Sequence, residues 1–96
     1  MDDKKTYEEL ETDLKAAAKQ VKPGSYYAHY KHPEIPYIVK GLLIIEENNE
    51  IAVRYASTAK VKVEFVRPLK VWLETVKWNG KTVPRFRRTD GLPKPG

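Results

Sequence analysis

The chemistry most legible in this 96-residue chain is that of aromatic rings set among cations. Tyr26, Tyr27, Tyr30 and Tyr37 crowd one short stretch, with Lys31 and Lys40 beside them, and Arg67 and Arg85 flank prolines further on. Rings on a sheet surface offer stacking platforms, and guanidinium groups grip phosphate through paired hydrogen bonds. Such a surface suits a nucleotide or a short nucleic acid, the base lying on Tyr27 or Tyr30 and the phosphate held by Lys31, Arg54, Lys62 or Arg67. His29, Tyr55 and Arg85 complete the candidate set. A competing duty weighs on each of them. A chain with two Phe needs some of its tyrosines as core, Arg67 has Glu74 as an available partner, and Trp72 and Trp78 are expected to pack inside.

Other chemistries find less support. His29, His32 and Glu34 lie close in sequence, but on an extended segment these side chains do not converge as metal ligands must. Ser25, Ser57 and Thr58 sit in no nucleophile elbow, the five glycines form no phosphate loop, and Glu46, Glu47 and Glu50 fall in a turn. No catalytic residue, metal or cofactor is assigned, because a reactive centre needs converging acid, base and orienting groups.

The elements that must position these residues follow from periodicity. Thr6 and Glu9 read as a capping box. Tyr7, Leu10, Leu14, Ala17, Ala18 and Val21 then recur at spacings of three and four, predicting an amphipathic helix over 6–22 that Pro23-Gly24 ends. The remainder reads as short strands. Residues 25–30 form an aromatic run, 35–46 a run rich in β-branched residues, and 47–50 a turn. Period-two alternation over Ile51–Tyr55 and Val61–Phe65 predicts a hairpin with Ala56 facing Lys60. That register sets Arg54 opposite Lys62, an anion site unless Glu64 relieves it. Residues 69–73 make one helical turn, and Asn79-Gly80 signals a type I′ hairpin with Val76 facing Val83.

Three segments resemble the family known as domain of unknown function 1653. They are Tyr27-Ala28-His29-Tyr30-Lys31 after Gly24, then Phe65-Val66-Arg67-Pro68-Leu69, and the run from Val76 to Phe86. Order and spacing fit over residues 24–86. Departures are Ala28 where the family carries Arg, His32 where it carries Gly, and the apolar Leu42-Leu43-Ile44-Ile45 where it carries a polar stretch. The resemblance implies an SH3-like small barrel and no known activity.

The reading is therefore a mainly β domain, either a small SH3-like open barrel or a strongly bent antiparallel sheet, with one N-terminal amphipathic helix. Residues 1–5 are a disordered start, 6–22 a helix packed on the same domain, 24–86 the β body, and 87–96 a flexible basic tail. The net charge of +5 lies on residues 23–84 and 85–96, each +3, while residues 1–22 carry −1, which favours an anionic partner. The chain has no cysteine for disulfides or thiolate metal sites, no apolar run long enough to span a membrane, and no signal peptide, so a cytoplasmic location is the default. The function expected is a non-enzymatic binding domain for an anionic aromatic ligand, a nucleotide or short nucleic acid, which it sequesters or senses. The alternative is a protein-interaction module using an aromatic groove, with self-association through the helix.

Overall fold

The computed structural model describes residues 5–90. Helix α1 (Tyr7–Gln20) starts where the capping box predicts: the Thr6 hydroxyl accepts from the Glu9 N–H at 3.1 Å, and the Glu9 carboxylate accepts from the Thr6 N–H at 2.8 Å. The second half of its apolar stripe is buried, with Ala17 and Val21 packed on the sheet. The first half is not, and Tyr7 is 86% exposed.

Six strands follow with one short helix among them: β1 (Tyr26–His29), β2 (Tyr37–Ile45), β3 (Glu50–Ser57), β4 (Glu64–Pro68), α2 (Leu69–Trp72), β5 (Thr75–Trp78) and β6 (Lys81–Pro84). A last strand, β7 (Phe86–Thr89), pairs along all four residues of β1. The five-stranded antiparallel sheet runs β4-β3-β2-β1-β7, and β5 and β6 make a separate hairpin. The sheet is not a closed barrel. It bends so strongly that Trp72, just past one edge, stacks on Phe86 of the opposite edge at 3.8 Å between ring centroids and 4° between planes. Tyr27 and Tyr55 meet Trp72 edge to face at 5.4 and 4.9 Å, and Val21, Val39 and Val53 complete the core. Arg67 of β4 also reaches the ring of Phe86, its guanidinium carbon 5.4 Å from the centroid.

Three expectations change. Residues 86–89 form an edge strand where a flexible tail was expected from 87; Lys5 likewise already joins the fold, paired with Asp13 at 2.6 Å. The rest of the expected start and tail lies outside the described residues. The β3–β4 register is four residues longer than predicted, with Ala56 facing Glu64 and Tyr55 facing Phe65. Turns over 57–63 explain this: the Ser57 hydroxyl accepts from the Ala59 N–H, Lys60 N–H bonds to Ser57 O, and Val63 N–H to Lys60 O. The β5–β6 hairpin matches its prediction, with Val76 opposite Val83 and both Asn79 (φ 52°) and Gly80 (φ 78°) in the left-handed region a type I′ turn requires. Trp78 stands 40% exposed instead of packing inside.

Candidate functional site

Alternation along β1 divides the aromatic run. Tyr27 and His29 point toward the core face, where Tyr27 is 7% exposed and His29 meets Phe86 edge to face at 5.2 Å. Tyr26, Ala28 and Tyr30 take the other face. There Ala28 floors a cleft of about 220 Å³ whose walls are Tyr30, Pro33, Trp78, Val83, Pro84 and Arg87, with His29 reaching it from the end of the strand. Trp78 and Tyr30 meet edge to face at 5.3 Å, and the Tyr30 N–H donates to Arg85 O at 3.1 Å, fixing the β5–β6 hairpin beside β1. No carboxylate lines this cleft.

His29 sits at the centre of a positive cluster. Burial first, and then Arg67, Arg85, His32 and Lys31 around it, lower its pKa from the usual imidazole range. Its Nδ1 accepts from the Lys31 N–H at 3.1 Å, an arrangement that needs this nitrogen unprotonated. The Lys31 ammonium lies 5.8 Å from the Tyr30 ring centroid. Arg85 has a partner, Glu74 at 3.1 Å, which thereby takes the carboxylate expected for Arg67. Among the described residues Arg67 makes no ion pair, and its positive charge rests on the Phe86 ring.

The fold thus brings together His29, Tyr30, Lys31, Arg67 and Arg85 and separates the other candidates. Tyr27 and Tyr55, 7% and 6% exposed, are core, and the Tyr27 hydroxyl faces Gln20 O at 3.4 Å. Arg54 lies across Gly41, where β2 bulges, and is paired with Glu64 at 2.7 Å; Lys40 reaches the same carboxylate at 3.6 Å. Arg54, and after it Lys40, hold the Glu64 carboxyl below its usual range, and this pairing, with Arg54 opposite Val66, removes the anion site imagined at Arg54 and Lys62. Lys62 is exposed in the 57–63 turns. Trp78 and Arg87 were not among the candidates, although an Arg one step past Phe86 in an alternating run marks the opposite face. Among the described residues no cluster of His, Asp and Glu could hold a metal ion.

A larger depression, about 580 Å³, lies elsewhere, between α1, the β2–β3 turn and α2. It carries both signs of charge, already neutralised in the pairs Lys5–Asp13 and Lys70–Glu50, and has no aromatic wall.

A sequence model of the family described as "Protein of unknown function (DUF1653)" matches residues 25–88, which span β1 to β7. The chain belongs to this family. A crystal structure of a DUF1653 protein from Bordetella bronchiseptica is similar at 30% identity, covering 80% of this chain and 97% of that one with a TM-score of 0.61. Comparison with curated proteins returned no match. The cleft residues from Ala28 to Arg87 therefore all lie within the DUF1653 region, whereas α1 precedes it. No helix among the described residues is long and apolar enough to cross a membrane.

Proposed function

We propose that the domain is a non-enzymatic binding module for an anionic aromatic ligand, a nucleotide or short nucleic acid, held at the cleft between β1 and the β5–β6 hairpin and acting in the cytoplasm. The supporting observation is the exposed Trp78–Tyr30 pair over a cleft with Arg87 in its wall, Lys31 beside it and no carboxylate. A base stacks on the indole or phenol ring, worth roughly 1–3 kcal/mol per base, and phosphate meets Arg87 and Lys31. Arg67, close enough to act on His29, adds longer-range attraction. A thermal-shift panel of mononucleotides, cyclic dinucleotides, short single strands and inorganic phosphate tests this. A ligand at 100 times its Kd adds about 2.7 kcal/mol, a rise of roughly 10–20 °C for so small a domain, and Trp78→Ala should abolish it. A flat panel refutes the reading.

A second reading, a protein-interaction module, draws on a different surface. Tyr7, Leu10 and Leu14 of α1 and Ile44 of β2 line an open groove of about 520 Å³, which leaves half of the helix stripe without a partner. Sedimentation equilibrium tests self-association there. A monomer unaffected by Tyr7→Ser and Leu10→Ser removes it.

A further inference from the structure

The outer face of β1 and β7 extends beyond the cleft. Tyr26 and Ala28 share one face of β1, and Tyr30, just past the end of the strand, lines the same cleft as Ala28. Between the two tyrosines lies Ala28, whose methyl leaves a gap, and opposite Ala28 in register is the exposed Arg87. At the far end, Tyr26 lines a second depression of about 310 Å³ together with Lys22 and Arg88; Asp90 is the one carboxylate in its wall. β7 is an edge strand of the sheet, and Arg87 on it is exposed. Among the described residues Lys22, Arg87 and Arg88 form no ion pair.

A mononucleotide fills one end of this arrangement and leaves the other unused. Two ring platforms separated by a small residue, with one cation midway and one at the far end, match a chain of bases joined by phosphates. A duplex offers no exposed base faces along its length and gains nothing from the rings. The geometry points to single-stranded nucleic acid as the ligand, running along the outer face of β1 and β7 from the Trp78–Tyr30 cleft past Arg87 to Tyr26 and Lys22. This rests on the reading proposed above and narrows it. Each end takes a base, Arg87 bridges the intervening phosphate, and Lys22 holds the strand where it leaves.

Fluorescence anisotropy with labelled single strands of about eight nucleotides, both deoxyribo- and ribo-, tests it against a duplex of the same sequence and a labelled mononucleotide. Single strands should bind far more tightly than either. Two cations facing phosphates give a slope of log K against log salt near −1.4, and Arg87→Gln reduces its magnitude by about 0.7. Tyr26→Ala should weaken the single strand roughly 5- to 100-fold and leave the mononucleotide unchanged, whereas Trp78→Ala weakens both. Circular dichroism of each variant checks the fold, and Arg87→Gln, an exposed change, keeps the test decisive if Tyr26→Ala unfolds. Equal affinity for duplex and single strand overturns the inference. Mononucleotide binding with no gain for the oligomer also overturns it but leaves the proposed function standing, and binding of neither defeats both.

Discussion

Trp72 joins the two edges of the bent sheet, and its truncation measures how much of the fold depends on that contact. The residue is 1% exposed, stacks on Phe86, and meets Tyr27 and Tyr55 edge to face. Removing a buried Trp costs about 3–5 kcal/mol in lost burial and residual cavity, against roughly 5–14 kcal/mol of total stability for a chain of this size. At about 4–8 °C per kcal/mol, Trp72→Ala should lower the Tm by roughly 12–40 °C. Trp72→Phe is expected to behave differently. The indole Nε1 is buried without a hydrogen-bond partner, and an unpaired buried donor costs roughly 1–3 kcal/mol. Phenylalanine keeps a ring on Phe86 and removes that donor, so the loss should not exceed about 2 kcal/mol. Urea titration followed by circular dichroism reads both. A cost below about 1.5 kcal/mol for Trp72→Ala would show that the sheet holds its bend without the stack. Equal costs for the two variants would show that the indole N–H has a partner and that the satisfaction argument is wrong.

His29 makes stability pH-dependent with a definite sign. Its pKa is lowered in the folded state by burial and then by Arg67, Arg85, His32 and Lys31, so the unfolded chain binds the extra proton first. The stabilisation is complete above the ordinary value of 6.5 and is lost as pH falls through it toward the folded pKa. Urea midpoints between about pH 5.5 and 8 should decline on acidification, and His29→Gln should flatten the decline; an unchanged slope in the variant would assign the titration to another group. Gly80→Ala, at φ 78° with open space around its Cβ position, should cost about 1–2 kcal/mol through backbone strain alone. A neutral result in thermal melts would mean that the Asn79-Gly80 turn has changed type.

The sequence carried the faces of the fold better than its pairings. The capping box, the helix stripe and the Asn79-Gly80 turn are local signals, each set by a few adjacent residues, and all appear where expected. The β3–β4 register is non-local. Alternation says which residues share a face, and a slip of four keeps every face intact, so Tyr55 meeting Phe65 instead of Val61 is invisible to the pattern. What decided it was the turn chemistry of Ser57 and Lys60. β7 escaped for a related reason: Phe86 is its one large apolar residue, and the strand exists because β1 offers it a full ladder. Of the candidate site, the polar members His29, Tyr30, Lys31, Arg67 and Arg85 came together. The tyrosines that went to the core, Tyr27 and Tyr55, differ from Tyr26 and Tyr30 in parity along a strand, a distinction that composition cannot make.

The two tryptophans separate structural from binding roles within one chain. Trp72 lies where three other rings converge, and its burial holds the edges of the sheet together. Trp78 has one ring contact, with Tyr30, and sits on a hairpin of two four-residue strands that is marginal on its own. That hairpin is docked by the Tyr30 N–H to Arg85 O bond, by the Arg85 N–H to Glu74 O bond and by the Arg85–Glu74 ion pair. None of these requires a tryptophan at position 78. A smaller residue would leave the docking bonds in place and spare the exposure of a large apolar ring, so stability alone does not account for an indole there. Lying beside Arg87 and Lys31, the ring has the surroundings that a stacked base and its phosphate need, and the outer face of β1 continues the same chemistry to Tyr26. The argument for a binding face thus rests on the contrast between two residues of the same type, one that the fold needs and one that it does not.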